Sequence, residues 1–136
     1  MEFLIGVVLA LAIGAFATIV GLDRDRAFYP TVMIVIALMY GLFAAIGGST
    51  AGLVPELAGI TLFVVLAVIA FRRNLWFAVA ALALHGVFDW FHAGLIANPG
   101  VPGWWPEFCM AYDVVAAAYL AVLIAVRANA RPPAAA

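Results

Sequence analysis

Residues 75–97 read LWFAVAALALHGVFDWFHAGLIA, an apolar run interrupted only by the ionisable side chains of His85, Asp89 and His92. A helix that crosses a bilayer needs about 20 predominantly apolar residues, and this run is long enough. Its apolar residues are continuous, whereas a strand of a membrane β-barrel alternates apolar and polar residues. The run therefore predicts a transmembrane helix that carries three polar groups.

The rest of the chain repeats this pattern. Together with residues 75–97, the apolar runs cover residues 3–22, 28–46, 53–71 and 106–126. The segments between them contain charged residues, glycine and proline, which end helices. We therefore expect an all-α fold, a polytopic bundle of five transmembrane helices. Residues 1–136 form a single transmembrane domain in this interpretation, with residues 127–136 as a short cytoplasmic tail.

The composition supports the same class. Of 136 residues, 69% are hydrophobic and 10% are charged, which is too little polar surface for a water-soluble domain. A single cysteine excludes a disulfide scaffold. The chain has no lysine and a net charge of −1, so no basic face is expected for a nucleic acid. It also lacks the glycine-rich strings that bind phosphates, so no nucleotide partner is expected.

The arginines predict the orientation of the chain. They follow the first, third and fifth apolar runs, which in a five-helix protein end on the same side of the membrane: Arg24, Arg26, Arg72, Arg73, Arg127 and Arg131. The positive-inside rule places this side in the cytoplasm. We expect the N-terminus outside, the C-terminus inside, and a multi-pass location in the bacterial inner (plasma) membrane.

The polar residues of the fourth run lie on one face of its helix. His85, Asp89 and His92 are at positions i, i+4 and i+7, within about 60° of one another on the helix surface. Ala78 and Ala81 extend the same stripe, and small residues allow neighbouring helices to approach closely. The stripe is therefore expected to face protein rather than lipid.

Carboxylates on the neighbouring helices are expected at similar depths. Glu56 on the third helix and Asp113 on the fifth should lie near the fourth helix, in the outer half of the bilayer. Imidazole and carboxylate are typical ligands of Zn²⁺, with non-haem Fe²⁺ as the alternative. The candidate metal ligands are His85, Asp89, His92, Glu56 and Asp113, and the candidate catalytic residues are Asp89 and Asp113. Cys109 and Tyr40 are interpreted as packing residues.

The same residues allow other interpretations. They could form a metal-free network that relays protons, or polar contacts that only hold helices together.

The predicted function is the binding of a divalent metal ion at an intramembrane site, with a lipid-directed, metal-dependent hydrolase as the more specific hypothesis. The alternative is a non-enzymatic transporter, proton relay or accessory subunit, so enzymatic activity is left open. A third interpretation is a lipid-binding module with its pocket under the loop at residues 99–106. The expected partners are membrane lipid and either a second copy of the chain or another membrane protein.

Two strings of sequence carry a resemblance. DRAFYP at residues 25–30 and HGVFDWFH at residues 85–92 make the whole chain look like uncharacterised small polytopic bacterial membrane proteins. HGVFDWFH also resembles, more distantly, the intramembrane zinc sites of alkaline-ceramidase-like hydrolases. That resemblance implies that His85, Asp89 and His92 hold zinc and activate water to cleave an amide or ester.

Overall fold

The computed structural model describes residues 1–130 of the chain, and this part is helical with no strand. Five helices follow one another: α1 Glu2–Val20, α2 Phe28–Ile46, α3 Thr50–Arg72, α4 Trp76–Leu95 and α5 Trp105–Asn129. Each helix is long and apolar enough to span a membrane. The prediction of an all-helical bundle of five helices, each long and apolar enough to span a membrane, is therefore confirmed for the described residues. Of the tail predicted at residues 127–136, residues 127–129 belong to α5, and residues 131–136, including Arg131, lie outside the described residues.

The helices pack in an order that differs from their order in the chain. Helix α1 packs on α5, α5 packs on α4, and α4 packs on α3, while α2 contacts both α3 and α4. Helix α4 therefore lies between α5 on one side and α3 with α2 on the other. The polar stripe of α4 faces these neighbours, because Ala78, Ala81, His85, Asp89 and His92 are all buried.

The two ends of the bundle differ in charge. At one end, which we call the arginine end, Arg26 donates to the carbonyl of Arg73 and Arg127 pairs with Asp23. Arg24 and Arg72 complete the set of described arginines there. The other end, which we call the arginine-free end, contains the α2–α3 turn and the α4–α5 loop. By the positive-inside rule we expect the arginine end to face the cytoplasm.

Helix α1 contacts α5 through a ridge of small residues. Gly6, Ala10, Gly14 and Ala17 are buried along one face. The approach is closest at Gly6, where an added Cβ would overlap the carbonyl oxygen of Phe108. Helix α1 ends at Gly21, whose φ of 88° is a left-handed conformation that glycine adopts readily. Close backbone contact, rather than large interlocking side chains, attaches α1 to the bundle.

The contact at Gly6 makes Gly6→Ala destabilising. The new methyl group would overlap the backbone of α5, and overpacking of this kind costs about 1–3 kcal/mol in free energy of unfolding. Reversible unfolding in detergent measures the change. Gly94→Ala on α4 is the matched control, because its Cβ would meet nothing within 4 Å. Equal stability of the two variants would contradict the packing of α1 on α5.

Candidate metal site

Helices α4 and α5 bring one imidazole between two carboxylates. His85 Nδ1 lies 2.7 Å from Asp113 Oδ2 and 3.3 Å from Asp89 Oδ2. The two helices can approach here because Gly86 has no side chain, and a Cβ at that position would lie 3.2 Å from the carbonyl oxygen of Met110. All three ionisable side chains are buried. The arrangement places two acidic groups and one basic group together in an apolar interior.

Cys109 joins this group from helix α5. It lies one turn before Asp113, and its Sγ is 4.0 Å from Asp113 Oδ2. One ligand atom from each of His85, Asp89, Cys109 and Asp113 can be chosen so that all lie within 4.8 Å of one another. We call these residues the four-residue cluster. The interpretation of Cys109 as a packing residue is therefore incomplete, because its spacing of four from Asp113 places both side chains on one face of α5.

Tyr40 extends the cluster toward the arginine-free end. Its hydroxyl donates to Asp89 Oδ1 at 2.7 Å, and its ring stacks on His92 with ring centres 3.9 Å apart. The buried residues of α2 include Met33, Ala37, Tyr40 and Ala44, which follow helical spacing. That periodicity indicates that Tyr40 faces the core, but it does not reveal the hydrogen bond to Asp89.

His92 belongs to a second polar group. His92 Nε2 lies 2.7 Å from Glu56 Oε1, which also accepts a hydrogen bond from Asn98 Nδ2 at 2.9 Å. Asn98 Nδ2 lies 3.0 Å from the carbonyl oxygen of Tyr40, so this loop residue joins α2 and α3. We call His92, Glu56 and Asn98 the loop-end group. Apart from its place in the α4–α5 loop, nothing in the sequence indicates that Asn98 belongs to this group.

The five candidate ligands from the sequence analysis are therefore divided between two groups. His85, Asp89 and Asp113 lie in the four-residue cluster, whereas His92 and Glu56 lie in the loop-end group. The physical reason is depth, because seven residues of helix separate His92 from His85 by about 10 Å. At the level of His92, the facing carboxylate comes from α3 rather than from α5.

Two buried oxygen atoms of the four-residue cluster are unsatisfied. Asp89 Oδ2 and Asp113 Oδ1 have no hydrogen-bond partner among the described residues. Asp89 Oδ2 is near His85 Nδ1, at 3.3 Å, without forming a hydrogen bond to it. An unpaired carboxylate oxygen is costly in an apolar interior, so these atoms favour a site that receives a proton or a cation.

A cavity of about 380 Å³ opens at the arginine-free end. His92 and Asn98 line it together with Pro99, Pro102 and Pro106 of the α4–α5 loop. It lies under the loop at residues 99–106, the position expected for the pocket of a lipid-binding module. No residue of the four-residue cluster lines this cavity, so the loop-end group separates the cluster from it.

Comparison with known proteins does not assign a function to this site. Comparison of the chain with models of protein families, with curated proteins and with solved structures gave no match in any of the three. The resemblance to small bacterial membrane proteins and to alkaline-ceramidase-like hydrolases therefore stays a prediction from the sequence.

Proposed function

We propose that this multi-pass membrane protein binds a divalent metal ion, with Zn²⁺ as the first candidate, at the four-residue cluster. One observation carries the proposal: a histidine, a cysteine and two aspartates, all buried, offer ligand atoms within 4.8 Å of one another. Ionisable groups in membrane-spanning helices are costly, and they generally serve a function. The proposed function is metal binding inside the bundle.

The charges of the cluster support a cation. Asp89 and Asp113 are two potential negative charges, and a protonated His85 would balance only one of them. An unbalanced charge in an apolar interior is strongly disfavoured. A divalent ion balances both carboxylates at once and also provides a partner for the unsatisfied Asp89 Oδ2 and Asp113 Oδ1.

The ligand types favour zinc. One nitrogen, one sulfur and two carboxylate oxygens suit a tetrahedral Zn²⁺ ion, with Fe²⁺ as the alternative. Bond lengths of about 2.0–2.3 Å would set the ligand atoms about 3.3–3.7 Å apart. The 2.7 Å contact between His85 Nδ1 and Asp113 Oδ2 would lengthen by less than about 1 Å, while Cys109 Sγ would move slightly inward.

Four protein ligands favour a closed metal site over a hydrolytic one. Catalytic zinc generally has three protein ligands and a water molecule in the fourth position. A lipid-directed hydrolase would use His85, Asp89 and Asp113 as ligands and leave Cys109 out. It would also need a path for substrate past the loop-end group, and we therefore limit the proposal to metal binding.

Elemental analysis of the purified, zinc-replete protein tests the proposal. We expect about one metal ion per chain in the wild type and a background level in His85→Gln. His92→Gln is the matched control, because it makes the same chemical change on the same helix in the loop-end group. It should retain the metal. Cys109→Ala is a second variant that should lose the metal, because it removes one of the four ligands. Alanine replaces this small buried side chain without leaving a charge, so the fold should be kept.

Two results would overturn metal binding at this site. The first is a background metal level in the wild type after zinc repletion and gentle extraction. The second is equal metal content in wild type, His85→Gln and Cys109→Ala, which would place any bound ion elsewhere in the protein.

A proton relay is the second candidate function, supported by one observation. Polar contacts run from the Tyr40 hydroxyl to Asp89, His85 and Asp113, whereas His92 at the cavity meets Tyr40 by ring stacking, which carries no proton. Beyond the cluster, the facing residues of α4 and α5 toward the arginine end are apolar, including Ala78, Ala81 and Ala117. The contacts thus cover only part of the membrane. A metal-free wild type would favour this function over metal binding.

A further inference from the structure

A cleft of about 290 Å³ lies at the arginine end, away from both polar groups described above. The α1–α2 loop, the α3–α4 loop and the last turns of α5 form its walls. Arg24, Arg26 and Arg127 lie at its rim, and Leu120, Leu123 and Ile124 line its deeper part. The cleft therefore combines cationic and apolar walls.

One of the acidic groups in the cleft is already neutralised. Asp23 Oδ1 accepts from Arg127 at 2.7 Å, and Asp23 Oδ2 accepts from the Thr18 hydroxyl at 2.6 Å. Burial disfavours the ionised form of Asp23, but the hydrogen bonds from Thr18 and Arg127 outweigh it and hold its pKa below the usual value. Asp23, which is buried, and Arg127, which is partly exposed, therefore form an ion pair whose charges cancel.

The other arginines leave an excess of positive charge. The Arg24 guanidinium has no hydrogen bond or ion pair with the described residues, and Arg26 donates only to the carbonyl of Arg73. Asp25, the remaining acid, accepts from the backbone N–H of Ala27. Across the described part of this end, five arginines stand against two aspartates. A cationic rim of this kind attracts an anion.

The walls change from charged to apolar along the membrane normal. Leu120 lies seven residues before Arg127 on α5, which is about 10 Å deeper into the bundle. A soluble anion would use only the rim of such a cleft. A phospholipid matches both parts, because its phosphate lies at the interface and its acyl carbons begin a few ångströms deeper.

We propose that the cleft binds an anionic phospholipid of the leaflet at the arginine end, with its phosphate at Arg24 and Arg26 and its first acyl carbons against Leu123 and Ile124. Basic pockets between transmembrane helices on the cytoplasmic side are suited to anionic headgroups. This site is independent of the proposed metal site, since the two share no residue.

Titration of phosphatidylglycerol into the purified full-length protein in neutral detergent tests the proposal, with the unfolding temperature as the readout. Arg24→Gln should raise the apparent Kd about fivefold, the change expected from losing one arginine near a lipid phosphate. Because the Arg24 side chain has no hydrogen-bond or ion-pair partner in the described part of the chain, its loss should leave the fold intact. Arg72→Gln is the matched control, since it lies at the same end but outside the cleft, and its Kd should change less than twofold.

Three results would overturn the lipid site. Equal weakening by Arg24→Gln and Arg72→Gln would mean that only the general charge of this end matters. Equal stabilisation by phosphatidylcholine would mean that the anionic headgroup is not recognised. Equal stabilisation by soluble glycerol phosphate would mean that the apolar part of the cleft contributes nothing.

Discussion

Replacing His85 with alanine is expected to lower the free energy of unfolding by about 3–5 kcal/mol. Among residues 1–130, the imidazole is the only basic group in contact with Asp89 and Asp113, which are both buried. Removing one partner of a buried charge pair leaves an uncompensated charge, and this usually costs more than the pair itself contributes. Unfolding in detergent with a metal chelator measures the effect on the metal-free protein.

A double-mutant cycle separates this charge effect from a loss of packing. Asp113→Asn in the His85→Ala background removes one of the two buried, uncompensated charges, so the double variant should recover part of the lost stability. Added zinc should stabilise the wild type and leave His85→Ala unchanged, because only a protein that binds the ion gains stability from it. A loss below about 1 kcal/mol with no coupling to Asp113 would contradict the charge balance inferred for the cluster.

The helices could be predicted from local features of the sequence. The chain contains five continuous apolar runs, and the segments between them contain charged residues, glycine or proline. This pattern predicts five helices without any knowledge of how they pack. The buried stripe of α4 could also be predicted, because His85, Asp89 and His92 share a helix face regardless of which neighbour they meet. These features depend on spacing along a single helix.

The partners of each polar residue depend on depth and on helix order, which single-helix periodicity does not reveal. Asp113 is eight residues into α5 and His85 is ten residues from the end of α4, so both lie about 12–15 Å from the arginine-free end. Glu56 and His92 lie about 5–9 Å from that end. Counting residues from the helix ends places His85 and Asp113 deeper than Glu56 and His92, but it also puts Asp89 and Cys109 only about 6–9 Å from that end. Counting alone therefore does not separate the two groups, and the choice of α5 or α3 as neighbour required the packed structure.

For three residues, the sequence gives weaker evidence that they belong to the site. Cys109 shares a helix face with Asp113, and that spacing was available in the sequence. The periodicity of α2 predicts that Tyr40 faces the core, but it does not predict the hydrogen bond from Tyr40 to Asp89. Asn98 lies in an irregular loop, where neither periodicity nor spacing applies, and its contact with Glu56 could not be predicted.

Glu56→Ala is expected to lower the free energy of unfolding by about 2–5 kcal/mol while leaving the metal content unchanged. Glu56 Oε1 is within hydrogen-bond distance of both His92 Nε2 and Asn98 Nδ2, so its loss leaves two polar groups without that partner. Each unsatisfied buried group costs about 1–3 kcal/mol. The α4–α5 loop also loses its attachment to α3, so its backbone amides should exchange hydrogen faster than in the wild type.

Glu107→Ala is the matched control for this substitution. Glu107 is at the same end of the bundle but is exposed in the first turn of α5, where a carboxylate contributes about 0.3–1 kcal/mol. The two variants together test whether the bundle holds two independent polar groups. If Glu56→Ala lost its metal along with its stability, the loop-end group would belong to the metal site. If it lost no more stability than Glu107→Ala, Glu56 would have no part in attaching the loop.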